Sequence, residues 1–129
     1  MPIQLSRAAA AAVRRGHPWV YRDGLSRAPS GLSMGAAVDL TDETGSFLGR
    51  GLWDAESPIC ARVFERSADR PLNAGSILER IERALRVRDA LFSDGAETTA
   101  YRFCNGEGDR VPGLVIDRYG EVAVLRVDG

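Results

Sequence analysis

Two cysteines and one histidine, Cys60, Cys104 and His17, are the side chains of this 129-residue sequence best suited to covalent chemistry. A nucleophilic thiolate needs a base or a helix N-terminus that lowers its pKa, and neither stands beside the cysteines in the sequence. Methylation of a pyrimidine at carbon 5 does use a thiolate, which makes Cys104 the better candidate. We nevertheless expect both cysteines to be reduced core residues. With one histidine they cannot complete a four-ligand zinc site, so the sequence predicts no catalytic residue and no metal site.

A glycine cluster in the second half could let the backbone approach a phosphate. The dinucleotide fingerprint G-x-G-x-x-G does so at a helix N-terminus. Gly106, Gly108 and Gly113 depart from it, because the third glycine has the wrong spacing, follows Pro112 and precedes a strand pattern. All 17 basic residues are Arg, which excludes a P-loop and lysine Schiff-base chemistry. We therefore predict a structural turn and no cofactor bound by this chain.

The basic residues are concentrated near the N-terminus. Up to Arg27 the sequence contains five arginines and one acid, Asp23, although the formal net charge of the chain is -1. A cluster of this sign could contact phosphates. The alternative is a solvated charged face without a partner.

A helix and a small barrel are the elements predicted to carry these arginines. The alanine-rich run from Arg7 to Arg15 predicts about two helical turns ending at Gly16, and His17-Pro18 then predicts extended backbone. After a short element at 19–21, alternating residues predict three strands, at 38–41, 47–53 and 59–64. The first two form a hairpin, with bends or bulges at Gly49 and Gly51, and the third is expected to close a small β-barrel.

The second half is predicted to begin with a helix, after a boundary between about Arg66 and Asn73. Ser76 and Glu79 have the spacing of a capping box at a helix start, and Asp94-Gly95 is the predicted stop. The apolar stripe between them consists of Ile77, Ile81, Ala84, Leu85, Arg88 and Leu91.

Three strands are predicted beyond this helix, at 101–104, 113–118 and 121–127, the last two joined by a tight connection at Tyr119-Gly120. A helix on a three-stranded sheet with an uncovered edge looks truncated. A chain of this length holds one modest core or two small ones. The short run from Ala8 to Val13 is neither a signal segment nor a membrane span, so we expect a cytoplasmic protein without a membrane partner.

Several stretches of the sequence resemble one family of RNA-modifying enzymes. In the first half they are Arg15-Gly16-His17-Pro18-Trp19-Val20-Tyr21, Val38 to Leu40, Gly51-Leu52-Trp53-Asp54-Ala55-Glu56-Ser57-Pro58-Ile59 and Arg62. In the second half they are Tyr101-Arg102-Phe103 and the run from Asn105 to Gly120. The chain thereby resembles the N-terminal part of the bacterial, PUA-domain-containing, class I S-adenosylmethionine-dependent 23S ribosomal RNA (cytosine-5) methyltransferases.

This resemblance implies a mixed α/β chain with two parts. A PUA-like, RNA-binding β-barrel would occupy residues 1–70, and residues 71–129 would begin a central α/β domain that stops before the methyltransferase domain. In that family the methyl donor and the catalytic cysteines belong to the later domain. We therefore expect S-adenosylmethionine for the missing domain and no activity from this chain alone.

The implied partner is ribosomal RNA. The candidate phosphate contacts are Arg14, Arg15, Arg22, Arg50 and Arg62, because arginine forms bidentate bonds to phosphate. His17, Trp19 and Tyr21 are candidates to border the RNA, where aromatic rings stack on unpaired bases. For His17 and Trp19 the alternative is a role as anchors of the turn against the barrel. A PUA module of another RNA-modifying enzyme, a stand-alone RNA-binding protein and a homodimer also stay open.

Overall fold

The computed structural model describes residues 1–27, 29–92 and 99–128 of the chain. These residues fall into two compact units, unit 1 at Met1–Asn73 and unit 2 at Ala74–Asp128. The fold is mixed α/β, as predicted.

Unit 1 is a curled five-stranded sheet with one helix. Its elements in chain order are β1 (Pro2–Gln4), α1 (Arg7–Arg14), β2 (Trp19–Tyr21), a 3-10 turn (Arg22–Gly24), β3 (Ala37–Thr41), β4 (Phe47–Trp53) and β5 (Ile59–Glu65). The strand order is β1-β3-β4-β5-β2, in which β1 runs parallel to β3 and the other pairs are antiparallel. The three predicted strands, β3 to β5, are confirmed, and the sheet curls into a half-barrel with β1 and β2 as its edge strands, where the sequence predicted closure by the third strand. Strand β1 and the 3-10 turn were not predicted.

Helix α1 is short because both of its ends are capped. The Ser6 hydroxyl accepts the Ala9 amide N–H at 3.2 Å. At the other end Gly16 adopts a left-handed conformation, with φ of 101°, and His17 N–H donates to the Ala12 carbonyl. The predicted stop at Gly16 is therefore confirmed.

The core of unit 1 lies between α1 and the concave side of the sheet. Its most deeply buried members come from α1, β2, β3, β5 and the residue after β1, and include Leu5, Val13, Val20, Leu40 and Cys60. Register shifts occur beside both glycines, as predicted: β4 has an extra residue, Leu48, next to Gly49 where it pairs with β3, and β5 has an extra residue, Phe64, opposite Arg50 and Gly51. A Cβ atom at Gly51 would lie 2.3 Å from the Arg62 carbonyl oxygen, so only glycine allows β4 to approach β5 this closely.

Unit 2 begins with helix α2 (Ala74–Leu91). The predicted capping box is wrong, because the helix starts two residues before Ser76 and Ser76 therefore lies inside its first turn. Asn73 occupies the position before the helix, where asparagine is as favourable as serine. The predicted stop at Asp94-Gly95 lies outside the described residues.

The predicted stripe of α2 is only partly buried. Ala84 is buried and Ile77 and Ile81 are half-buried, but Leu85 and Leu91 are 37% and 70% exposed. Arg80, which the pattern did not include, is buried instead.

Three antiparallel strands complete unit 2, in the order β6 (Ala100–Asn105), β7 (Leu114–Tyr119) and β8 (Val122–Val127). A 3-10 turn (Gly106–Asp109) follows β6, and Gly120, with φ of 62°, makes the predicted tight connection after β7. Every residue of β8 is exposed. Among the residues that the structure describes, no helix is long and apolar enough to span a membrane.

Candidate nucleic-acid interface

A groove of about 320 Å³ opens on unit 1 between α1 and β2. We call it the aromatic groove, and its lining consists of Ser6, Ala8, Ala9, Ala12, His17, Trp19, Val20, Tyr21, Asp23 and Gly24. The alanine methyl groups come from the side of α1 that does not hold the buried Ala10 and Val13. The rings come from β2 and the segment before it.

The His17 ring contacts each of the other two rings of the groove edge to face. His17 lies 6.1 Å from Trp19 and 6.2 Å from Tyr21, measured between ring centroids, with interplanar angles of 70° and 61°. The Trp19 amide N–H donates to His17 Nδ1 at 3.2 Å. Trp19 is half-buried, whereas His17 and Tyr21 are exposed. The structure thus brings together the three aromatic residues proposed from the sequence.

Arg14 and Arg15 follow the groove residue Ala12 in the chain and precede His17. Arg14 donates to the Asp42 carboxylate, and its side chain stays 53% exposed. Arg15 is exposed at the C-terminal cap of α1. Both guanidinium groups are therefore within reach of a ligand from solvent.

Arg22 and Arg50 have structural partners inside unit 1. Arg22 donates to the carbonyl oxygens of Asp54 and Ser57, at 2.9 and 2.7 Å, and lies over the Trp53 ring. Arg50 donates to Asp39 at 2.6 Å and to the carbonyl oxygen of Arg70. Their hydrogen-bonding groups thus hold loops and strands together.

Arg62 lies on β5, paired in register with Trp19 of β2 and Leu52 of β4. It is half-buried. The amide groups of Ser57 and then Glu56 lower the pKa of the buried Asp54 carboxyl, and the charges of Arg62 and Arg22 contribute. Asp54 therefore stays ionised, with the charges of Arg62 and Arg22 acting on it.

Asp42 holds the β3–β4 turn beside Arg14. Its carboxylate accepts the Thr44 hydroxyl at 2.7 Å, the Thr44 N–H at 2.8 Å and the Ser46 N–H at 3.0 Å. The Thr44 hydroxyl, the Ser46 amide, the Thr44 amide and Arg14 together lower the pKa of Asp42 to about 2, against the opposing effect of desolvation.

Three features of this region were missed in the sequence. Arg66 donates to the carbonyl oxygens of Val13 and His17, at 2.7 and 3.2 Å, and so caps the C-terminus of α1. Asp23 stands at the groove, and the alanines of α1 form its floor. The sequence contained one indication of the groove. Alanine occurs on all sides of the eight-residue helix α1, so a second face of small side chains remains beside the buried one.

The cysteines and the glycine cluster have the structural roles predicted for them. Cys60 and Cys104 are free and fully buried, and burial raises the pKa of both thiols. Gly106 and Gly108 belong to the 3-10 turn that leads into β7, where a fingerprint would require an α-helix. Within the described ranges no group of three or more His, Cys, Asp or Glu side chains could hold a metal ion.

Unit 1 is similar to a domain family of known proteins. The sequence profile of the PUA-like domain family matches residues 3–66. Two curated relatives are named ribosomal RNA large subunit methyltransferase I. That of Alteromonas mediterranea is 36% identical over 115 residues, and that of Salmonella typhi is 34% identical over 124 residues. The alignments cover 89% and 95% of this chain and 29% and 30% of the relatives.

Solved structures show the same fold. One, described as a methyltransferase complexed with SAH, superposes with a TM-score of 0.81 at 19% identity, over all of this chain and 33% of that protein. A second, described as a SAM-dependent methyltransferase from Streptococcus mutans, has a TM-score of 0.77 at 20% identity, over 97% and 32%. The chain thus spans about a third of the length of the proteins it matches.

Proposed function

Because residues 3–66 are a PUA-like domain and the chain is homologous to the N-terminal part of ribosomal RNA large subunit methyltransferase I, we propose that it is the RNA-binding region of an S-adenosylmethionine-dependent rRNA methyltransferase. Its role is to dock that enzyme on ribosomal RNA, in the cytoplasm. The observation that carries this proposal is the similarity to rRNA methyltransferases over about nine-tenths of the chain.

The methyl-transfer chemistry belongs elsewhere in this proposal. The glycine cluster does not fit the methyl donor, because it leads into a strand. The cysteines do not fit a catalytic nucleophile, because burial raises the pKa of both thiols. We propose that the complete enzyme methylates carbon 5 of a cytosine in 23S rRNA, as the resemblance implies. This chain then supplies affinity for the RNA and no reacting group.

RNA contact is proposed to begin at the aromatic groove and at Arg14 and Arg15, at the end of α1. Exposed guanidinium groups bind phosphate oxygens without reading sequence, and they make affinity depend on salt. Arg14 and Arg15 have this exposure. Arg62 is a further candidate, while Arg22 and Arg50 would act through the loops they hold.

The test is a titration of a 23S rRNA fragment with the chain at several salt concentrations. Arg14→Ala and Arg15→Ala should each weaken binding and lower the slope of log affinity against log salt by roughly 0.7 to 0.9 per lost contact. Arg83→Ala, at an exposed position of α2, removes the same charge elsewhere and serves as the control. If a double Arg14/Arg15 variant bound the fragment as tightly as the parent at low salt, this surface would not be the docking site.

A further inference from the structure

The aromatic groove has the size and the floor of a small-ligand site. Its volume of about 320 Å³ lies at the lower end of ligand pockets, which suits one nucleoside. The methyl groups of Ala8, Ala9 and Ala12 form an apolar floor against which a planar ring can lie. This floor requires small side chains, because larger ones on the same face of α1 would fill the space.

The rings on the opposite side supply stacking surfaces. Trp19 and Tyr21 both line the groove, and Tyr21 is 45% exposed. Stacking on aromatic rings is the usual way in which proteins hold unpaired bases of RNA. Stacking alone accepts every base, so any preference must come from the polar groups at the groove.

Two polar side chains at the groove have fixed and opposite hydrogen-bonding roles. His17 Nδ1 accepts the Trp19 amide N–H, so the neutral imidazole carries its proton on Nε2, which is a donor. The Asp23 carboxylate is an acceptor with two oxygens. Between them, His17 and Asp23 thus offer one donor and a pair of acceptors.

Guanine is the base whose edge complements this set. Its Watson–Crick edge has one acceptor, O6, beside two adjacent donors, N1–H and the N2 amino group. Adenine and cytosine place a ring nitrogen acceptor beside their single amino group, which a carboxylate repels. Uracil has one N–H between two carbonyl oxygens, so it offers a carboxylate no second donor.

We propose that the aromatic groove binds an unpaired guanine of RNA, with the base between the alanine floor and the rings of Trp19 and Tyr21. The Asp23 carboxylate accepts from N1–H and N2–H, and His17 Nε2–H donates to O6. This inference deepens the proposed function and rests on it. It adds a base-reading site to a surface that otherwise binds phosphates.

Binding of labelled heptaribonucleotides tests the pocket. The probes are UUUGUUU and its variants with adenine, cytosine or inosine at the centre. We expect the guanine probe to bind the chain about tenfold more tightly than the adenine and cytosine probes. Inosine lacks only the N2 amino group, so its affinity should lie between those of guanine and adenine.

Asp23→Asn is the decisive variant, because it keeps the size of the side chain and removes the second acceptor. It should abolish the preference for guanine, because the amide offers one acceptor and one donor, the set that adenine and cytosine complement. Asp69→Asn makes the same change of charge at an exposed position of unit 1 outside the groove, and it should retain the preference. Ala8→Leu, at an exposed helix position, should weaken binding of the guanine probe, because the larger side chain fills the groove. Leucine is a good helix former, so α1 should stay folded.

Equal binding of the guanine and adenine probes would contradict the proposed guanine site. A guanine preference that persists in Asp23→Asn would contradict it as well. Failure of all four probes to bind at low salt would overturn it as well. The proposed function is judged separately by the rRNA titration of the Arg14 and Arg15 variants. If the Arg14 and Arg15 variants bind the rRNA fragment as tightly as the parent while the guanine preference is observed, the proposed phosphate contacts are wrong and the proposed guanine site is supported.

Discussion

Aspartates hold the loops of unit 1 by accepting amide groups two to four residues further along the chain. Asp54 accepts from Glu56 and Ser57, and Asp42 accepts from Thr44 and Ser46. A carboxylate in this position replaces water at several backbone donors at once. The sequence Asp42-Glu43-Thr44-Gly45 predicted the turn, but not that one side chain would organise it.

Asp42 should make the stability of unit 1 depend on pH. Its pKa is about 2 in the folded chain against 3.8 for the free group, so its contribution is complete above pH 4 and is lost as the pH falls towards 2. We expect Asp42→Asn to be less stable than the parent at pH 7 and the difference to shrink between pH 4 and 2. Urea unfolding followed by the fluorescence of Trp19 and Trp53, both in unit 1, measures this. A difference that does not change with pH would contradict the assignment, and Asp69→Asn is the matched control.

Trp19 should contribute to both folding and RNA binding, because it is half-buried and lines the aromatic groove. Full burial would make truncation to alanine cost about 3–5 kcal/mol of stability, so we expect about 1–2 kcal/mol here. The loss of one stacking ring should also cost about 1–3 kcal/mol of RNA affinity. Trp19→Phe should restore most of both. Urea unfolding and RNA titration of the two variants, on the same preparations, separate the contributions, and an unchanged RNA affinity in Trp19→Ala would favour the anchor role alone.

Arginines show the limit of residue-level prediction from the sequence. All the candidates share one side chain, but the carbonyl oxygens that hold Arg22 belong to residues more than 30 positions away. Only the position of the loop after β4 shows that Arg22 is held by carbonyl oxygens and that Arg15 is not among the residues they hold. Residue type therefore predicted the chemistry of this surface, and tertiary contacts decided which guanidinium groups are held by carbonyl oxygens of the protein.

Helix α2 illustrates the same limit at the level of an element. The spacing of Ile77, Ile81 and Ala84 predicted its buried face. The pattern omitted Arg80, whose guanidinium donates to the Arg110 carbonyl at 2.9 Å. It counted Arg88 as part of the stripe, where Arg88 binds both oxygens of Asp109 at 2.6 and 2.8 Å. A hydrophobicity pattern cannot foresee a helix face that packs on a polar turn.

Arg88 is therefore expected to hold the 3-10 turn of unit 2. The side chains of Arg88 and Asp109 are only 18% and 12% exposed, so removal of one partner leaves a poorly solvated charge. Arg88→Leu should destabilise unit 2 by about 2–3 kcal/mol. The helical circular dichroism signal, to which the 18-residue α2 is the largest contributor, follows this loss in urea. Arg86→Ala, at an exposed position of the same helix, should have little effect, and an equal effect of both variants would contradict the role of the pair.

At the scale of the whole chain, the sequence predicted the order of helices and strands better than their packing. Alternation and turn residues were sufficient for β3, β4 and β5, because one face of each strand is buried. Strand β1 has three residues and pairs in parallel with β3, so it is too short to show an alternating pattern in the sequence. The groove was also invisible, since it depends on how α1 and β2 meet.

The two units should differ in local stability. Strands β3 to β5 bury alternate residues in a shared core, whereas β8 is exposed along its whole length. Amides with few buried neighbours exchange through small local openings. We expect hydrogen exchange to be faster at 122–127 than at 59–65 in the monomeric chain. Protection of β8 equal to that of β5 would mean that β8 is covered in solution.

The exposure of β8 should also make the chain associate with itself at high concentration. Val122, Val124, Leu125 and Val127 are 52–73% exposed, and the strand leaves one edge without a neighbour among the described residues. Such an edge offers unpaired amide and carbonyl groups to a second molecule, with apolar side chains on both faces. Concentrated solutions should therefore scatter light through edge-to-edge association, and Val124→Lys should raise the concentration at which scattering begins. Association through β8 therefore limits the protein concentration that can be used in the RNA titrations, although β8 lies outside the proposed RNA-binding surface.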